Sequence, residues 1–147
     1  MTIQRKVMQE AISWLGTPYH HNARVKGAGV DCAMLLCEVF ERSGAIPKIE
    51  PEQYPHDWHL HKDKERFLQM LDAHGERVES FANVMPGDVI TFKFGRCFSH
   101  GSIYIGSYEI IHAYIGRGVI RTSVFDSLLK HGGKMRDHVI HRIRGPE

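Results

Sequence analysis

The chain has 147 residues, 42% of them hydrophobic and 10% aromatic, enough to bury one ordinary core and too few for several domains. Its 19 basic and 17 acidic side chains leave a formal charge of +2 and are spread along the chain, so no basic stripe exists to neutralise phosphates and a nucleic-acid partner is excluded. The longest apolar runs fall far short of the roughly 18 to 20 residues a bilayer span requires, which excludes a membrane partner of the helix-spanning kind.

The N-terminal "MTIQRKVMQEAISWLG" is amphipathic and lacks the apolar block of a secretory signal, so a chain made in the cytoplasm without a signal peptide is expected. Ile3, Val7, Met8, Ile12 and Leu15 recur near helical spacing and Gly16-Thr17-Pro18 supplies a stop, which predicts a helix over 3–15. The loop "YHHNARVKGAGV" leads to Asp31, a good N-cap. "CAMLLCEVFERSG" then predicts a buried central helix over 32–42 that Gly44 ends. From Pro47 to Trp58 the chain is rich in proline and polar residues, and "HKDKERFLQMLDAHG" reads as a third, more exposed helix. Together these predict an inserted helical segment at about 47–75, placed as a lid over the core.

From Pro86 the period changes. "DVITFKF", "SHGSIYIG", "EIIHAYIG", "GVIRTSV" and "DHVIHRI" are short, β-branched and aromatic, and glycine-containing turns separate them. They predict a mainly antiparallel sheet, with "FDSLLKH" as a short helix. Helices followed by meandering strands indicate an α+β class and a single domain over 1–147. The lone GxG in "KGAGVDC" follows no strand and precedes no Lys-Ser/Thr, so it is not read as a phosphate loop.

Three cysteines remain to be explained. On a helix Cys32 and Cys37 would lie about 8 to 9 Å apart at Cα, beyond the roughly 7 Å a disulfide tolerates. Without a CxxC pair they suit neither a disulfide scaffold nor a closed zinc site. Cys97, His100 and His112 supply too few ligands at no recognised spacing, so no metal is expected. Of the other histidines, His56, His59 and His61 fall in the insertion as a solvated or lid face, and His131, His138 and His141 are read as surface or strand residues.

Cys32 stands at the first turn of its helix, where unpaired N–H groups and the helix dipole favour thiolate, so a lowered pKa is expected. Taken alone, the position equally suits a small buried cysteine behind an Asp cap. Gly27 and Gly29 would let another molecule approach the backbone there, and nearby amides could hold an oxyanion. A cysteine nucleophile needs a base. Strand alternation puts His100, Ser102 and Tyr104 on one face and Ile110, His112 and Tyr114 on one face of the next strand. An odd or bulged hairpin connection would bring both histidines to the same side, where His112 could fix the ring of His100; a strict two-residue loop would separate them.

Three stretches, in order, resemble the NlpC/P60 cysteine peptidases. "GTPYHHNARVKGAGVDCAMLLCEVFERSGAIP" is similar to their GxxY…DCSGLV…G…LP opening, "MPGDVITF" to their PGDLVFF strand and "SHGSIYIG…IIHAY" to their SHVGIYLG…FIHA hairpin. The resemblance implies a papain-like α+β fold with the nucleophile helix packed on the sheet. It implies hydrolysis of amide bonds in bacterial cell-wall stem peptides, typically between D-γ-glutamate and diaminopimelate or lysine, with no cofactor. Cys32 falls on the nucleophile, His100 on the base and His112 on the polar third residue. Tyr19 falls on the tyrosine facing the nucleophile, and Asp31 and Ser99 match polar positions for substrate binding. Ala33-Met34 replaces the usual Ser-Gly, which implies a differently shaped cleft. The "YPHDW" insertion and the unsignalled chain look like the phage-associated subgroup, which implies phage tail proteins as partners, a virion-associated location and action in the cell wall. The competing readings are a tail structural component with a vestigial site, and another amidase or an acyltransferase using the same residues.

Overall fold

The computed structural model describes residues 2–48 and 65–145. Helix α1 (Ile3–Ser13) starts where the Thr2 hydroxyl accepts the Arg5 N–H at 3.2 Å. It buries Val7 and Ala11, and Trp14 just after its end is wholly buried, its indole N–H donating to Glu10 at 2.9 Å. Two short strands, β1 (Arg24–Val25) and β2 (Gly29–Val30), pair as a hairpin. Helix α2 (Cys32–Arg42) follows at once; the Asp31 carboxylate accepts the Met34 N–H at 2.8 Å as its cap, worth about 1 kcal/mol. Every residue from Ala33 to Phe40 is buried, and Gly44 at φ +83 turns the chain away as the left-handed terminator glycine supplies.

Helix α3 (Arg66–His74) lies inside the expected third helix. It is more exposed than α2, as expected, with Gln69, Asp72 and Ala73 exposed, and it buries Phe67, Leu68 and Leu71. Residues 49–64 of the expected insertion lie outside the described residues.

The strands are β3 (Gly75–Val78), β4 (Val89–Phe94), β5 (Cys97–Gly106), β6 (Glu109–Tyr114), β7 (Gly118–Ser123), the short pair β8 (Lys130–His131) and β9 (Lys134–Met135), and β10 (His138–Ile143). The six-stranded sheet has the order β3-β10-β4-β5-β6-β7, antiparallel throughout. Its helix-facing side supplies Val89, Ile103, Ile111, Ala113 and Val119 to a core shared with all three helices. The opposite side gathers Ile90, Phe92, Tyr104, Ile110 and Ile140 over Val124 and Leu129. "FDSLLKH" contributes one 3-10 turn, Ser127–Leu129. Among the described residues no helix is long and apolar enough to cross a membrane.

One close approach fixes how the helices sit on the sheet. A Cβ at Gly101 of β5 would lie 2.5 Å from Leu36 Cδ1 of α2 and 2.5 Å from Phe67 Cζ of α3. Both contacting side chains are buried and cannot step aside. Gly101→Ala is therefore expected to destabilise the protein by about 1–3 kcal/mol, read as a lowered urea midpoint at unchanged m-value.

Candidate active site

The first wall of the site is built from the chain after α1. Gly16 N–H and Thr17 C=O bond the main chain of Val119 at 3.0 and 2.8 Å. Gly118, at φ +80, is required there, since a Cβ would meet Thr17 O at 2.6 Å. Val30 then donates to Pro18 O and accepts from His20 N–H, both at 3.0 Å, so Tyr19 is clamped beside the strand that ends one residue before Asp31. Its phenol is half-buried, and burial first, then the charges of Cys32 and Asp31, push its pKa up.

Asp31 is 3% exposed. One oxygen caps α2 through Met34 and the other accepts the Asn22 N–H at 2.7 Å, with the His21 ring 3.9 Å away. Met34, which stands where the resembling family has glycine, packs into the core at 6% exposure.

The opposite wall is β5. Phe92 pairs with His100 and Lys93 with Phe98, so Ser99 is an extra residue without a partner on β4. This is a bulge, and it turns the local main chain. The Cys32 thiol donates to the Ser99 carbonyl at 3.5 Å. The main-chain N–H groups of Gly101, Ala33 and Cys32 also lie within reach of the sulfur. The thiol thus rests against the backbone on both sides of His100.

The hairpin parity resolves through a second bulge. Gly106 pairs with Glu109 around the two-residue turn Ser107-Tyr108, but the register shifts by one before Tyr104 pairs with Ile110. The shift puts His100 and His112 on one face. Partners between β5 and β6 end at Ile103↔Ile111 although both strands continue, and the rings bridge the stretch beyond: His100 Nε2 and His112 Nδ1 share a hydrogen bond of 2.8 Å. His112 Nε2 in turn meets Thr122 Oγ1 of β7 at 2.9 Å. Phe94 and Tyr114 pack on His100 with ring centroids at 5.1 and 5.6 Å.

The electrostatics correct one expectation. Burial raises the Cys32 thiol to about 12, with the Asp31 charge adding to it; the three N–H groups pull it down without winning. Burial likewise holds His100 down at about 3, reinforced by His112 and by the Arg136 cation. His112 is held at about 4 by burial, against the pull of Asp126. The helix N-terminus acts in the expected direction, but desolvation outweighs it. The resting pair is neutral thiol and neutral imidazole.

The six residues singled out in sequence therefore fall in one place: Cys32 and Asp31 at the head of α2, Tyr19 beside them, and Ser99, His100 and His112 on the facing strands. None of the three cysteines is in a disulfide. Thr122, Phe94 and Arg136 were not found from sequence. Thr122 was within reach, because carrying the alternation of β6 across to "GVIRTSV" puts it diagonal to His112.

The NlpC/P60 family matches residues 16–137. The chain belongs to the NlpC/P60 family. A probable endopeptidase of Mycobacterium tuberculosis is 30% identical over 82% of this chain and 26% of its own length. The murein DD-endopeptidase MepS/murein LD-carboxypeptidase of Escherichia coli is 27% identical over 83% of this chain and 55% of its own. The gamma-DL-glutamyl hydrolase of Bacillus subtilis is 32% identical over 73% and 22%. The chain thus spans only part of these relatives. Among solved structures, the NlpC/p60 domain of the peptidoglycan hydrolase SagA superposes with TM-score 0.63 at 19% identity, covering 93% of this chain and 97% of that one. RipD of Mycobacterium tuberculosis, described as a non-catalytic NlpC/p60 domain protein, gives 0.61 at 16% identity over 97% and 98%. This NlpC/P60 domain therefore shares its α+β fold with both.

Two outcomes follow from the electrostatics. Iodoacetamide should label Cys32 of the ligand-free protein with a rate still climbing above pH 8.5, the ordinary thiol value; a plateau near pH 6 would mean a preformed thiolate. Both histidines have folded-state pKa values, about 3 and 4, below the unfolded one, so the unfolded chain takes up protons first as pH drops below about 6.5. Stability should fall from pH 6.5 towards pH 4, and His112→Asn should make that fall shallower by up to about 1.4 kcal/mol per pH unit, measured by urea titration at each pH.

Proposed function

We propose that this NlpC/P60 domain is a cysteine peptidase of bacterial cell-wall stem peptides, cutting an amide of the D-γ-glutamyl-diaminopimelate type. The observation that carries the reading is the Cys32 thiol held against the main chain on either side of His100, whose ring is hydrogen-bonded to His112. The relatives named as endopeptidases and the fold shared with a peptidoglycan hydrolase support it.

In the resting site the S–H points at the Ser99 carbonyl. Substrate binding turns the sulfur from that carbonyl towards the imidazole. Its proton passes to His100 Nδ1, the nitrogen not engaged with His112, as the sulfur attacks the scissile carbonyl. Because both partners start neutral, proton transfer and attack proceed together instead of from a stored ion pair. The main-chain N–H of Cys32 and the Tyr19 phenol face the developing oxyanion. His100 then gives the proton to the leaving amine as the C–N bond breaks. Water, deprotonated by the same nitrogen, releases the acyl group as a carboxylate. Asp31 and Ser99 line the acyl side, where a free substrate amine would find the buried carboxylate.

The direction of the relay depends on tautomers. For Nδ1 of His100 to carry the lone pair, its Nε2–H must donate to His112 Nδ1, and His112 must carry its own proton on Nε2. Thr122 Oγ1, 2.9 Å from that nitrogen, can accept its N–H and so supports this tautomer.

Incubation with purified stem peptides, read by mass spectrometry, tests the activity. Cys32→Ala should lower the rate by about 10³-fold or more while keeping the fold; intact peptide with the wild type would instead place this chain with the non-catalytic members. Thr122→Val should lower kcat by about tenfold or more with KM little changed, and Thr122→Ser should restore it. Nitrogen chemical shifts of His112 should show the Nε2–H tautomer lost only in the valine variant.

A further inference from the structure

We propose that the cleft between the β4–β5 turn and the β8–β9 hairpin is an anion subsite for a carboxylate on the leaving side of the scissile amide. This rests on the peptidase reading above. The cleft has a volume of about 320 Å³ and is lined by Lys93, His131, Lys134 and Arg136, with Asp137 as its one acidic side chain. Among the described residues none of the three permanent cations is in an ion pair. An uncompensated group of this sign concentrates and holds anions.

Two of the three cations are also held in place. Arg136 lays its guanidinium 3.9 Å from the centre of the Phe94 ring and donates through Nη1 to Lys93 O at 3.1 Å. Its Nε is buried and has no hydrogen-bond partner, a donor left for a ligand. The Lys93 ammonium sits 5.8 Å over the Phe98 ring. Cations ordered in advance on aromatic faces bind a carboxylate at less entropic cost than free surface lysines.

The position relative to the chemistry assigns the side of the substrate. Phe94, which carries Arg136 on one face, packs at 5.1 Å on His100. His100 is the group that protonates the departing amine, so the leaving portion of the peptide lies on the His100 side of Cys32, next to this cleft. An anion bound there would also offset the Arg136 charge that disfavours protonated His100, helping the base at the step where it must take a proton.

The test uses two synthetic stem peptides that differ only in carrying a carboxylate or a carboxamide on the leaving-side residue. The wild type should cut the carboxylate peptide with a KM about tenfold lower, and the Lys93→Gln/Lys134→Gln double variant should bring that ratio towards one. Equal handling of both peptides by the wild type, or a preference that survives in the double variant, overturns the subsite. If neither peptide is cut, the peptidase reading fails first. The subsite is then judged alone by NMR titration of Cys32→Ala with the free leaving-side amino acid. Shifts at Lys93, Lys134 and Arg136 that the carboxamide does not cause uphold it, and their absence overturns it.

Discussion

The site depends on helix α2 lying at backbone distance from β5. Only a residue without a side chain permits this, and Gly101 provides it between Leu36 and Phe67. Were the helix lifted by the width of a methyl group, Cys32 would lose both the Ser99 carbonyl and the Gly101 N–H on either side of His100. The same closeness buries much of the thiol and most of the imidazole, and so it also sets the electrostatics. The packing that sets Cys32 against the main chain on either side of His100 also pushes the thiol pKa up and the imidazole pKa down.

How much of this the sequence discloses can be judged residue by residue. The Asp31 cap, the helix after it, the strand alternation and the need for an odd or bulged hairpin were all legible, because each follows from a short local pattern. The bulge at Ser99 was not, because nothing in "CFSH" distinguishes a residue skipped by β4 from one paired to it. Strand β3, "GERV", was missed for a related reason: it has no apolar alternation and is a strand only because β10 offers it an edge. The thiol pKa was read in the wrong direction, since the helix terminus is visible in sequence and desolvation is not. The exposure of α3 relative to α2 was legible in its polar and charged positions, and its buried side in the helical spacing of Phe67, Leu68 and Leu71.

The two faces of the sheet divide the work. The helix side carries Cys32 and most of the apolar core. The other side carries the histidines, their aromatic wall and the basic cleft, over a smaller core closed by the β8–β9 region. Cys32 comes from the helix side and lies against the main chain of Ser99 and Gly101, in the stretch of β5 where β5 and β6 stop pairing. A fully paired sheet would have sealed one side from the other, so the interrupted ladder is as necessary as the paired part.

The turn Ser107-Tyr108 has a consequence for how the two rings are aligned. Both residues are left-handed, at φ +54 and +61, a geometry that glycine or asparagine adopts readily and tyrosine does not. It is held within the hairpin by Tyr108 N–H on the Tyr104 hydroxyl at 3.0 Å, and from outside it by Val124 N–H on Tyr108 O at 2.8 Å and by Phe81 and Phe125 against the Tyr108 ring. The register shift that brings His100 and His112 to one face thus leans on Val124 and Phe125, which lie beyond the hairpin, and loosening that packing would loosen the alignment of the two rings.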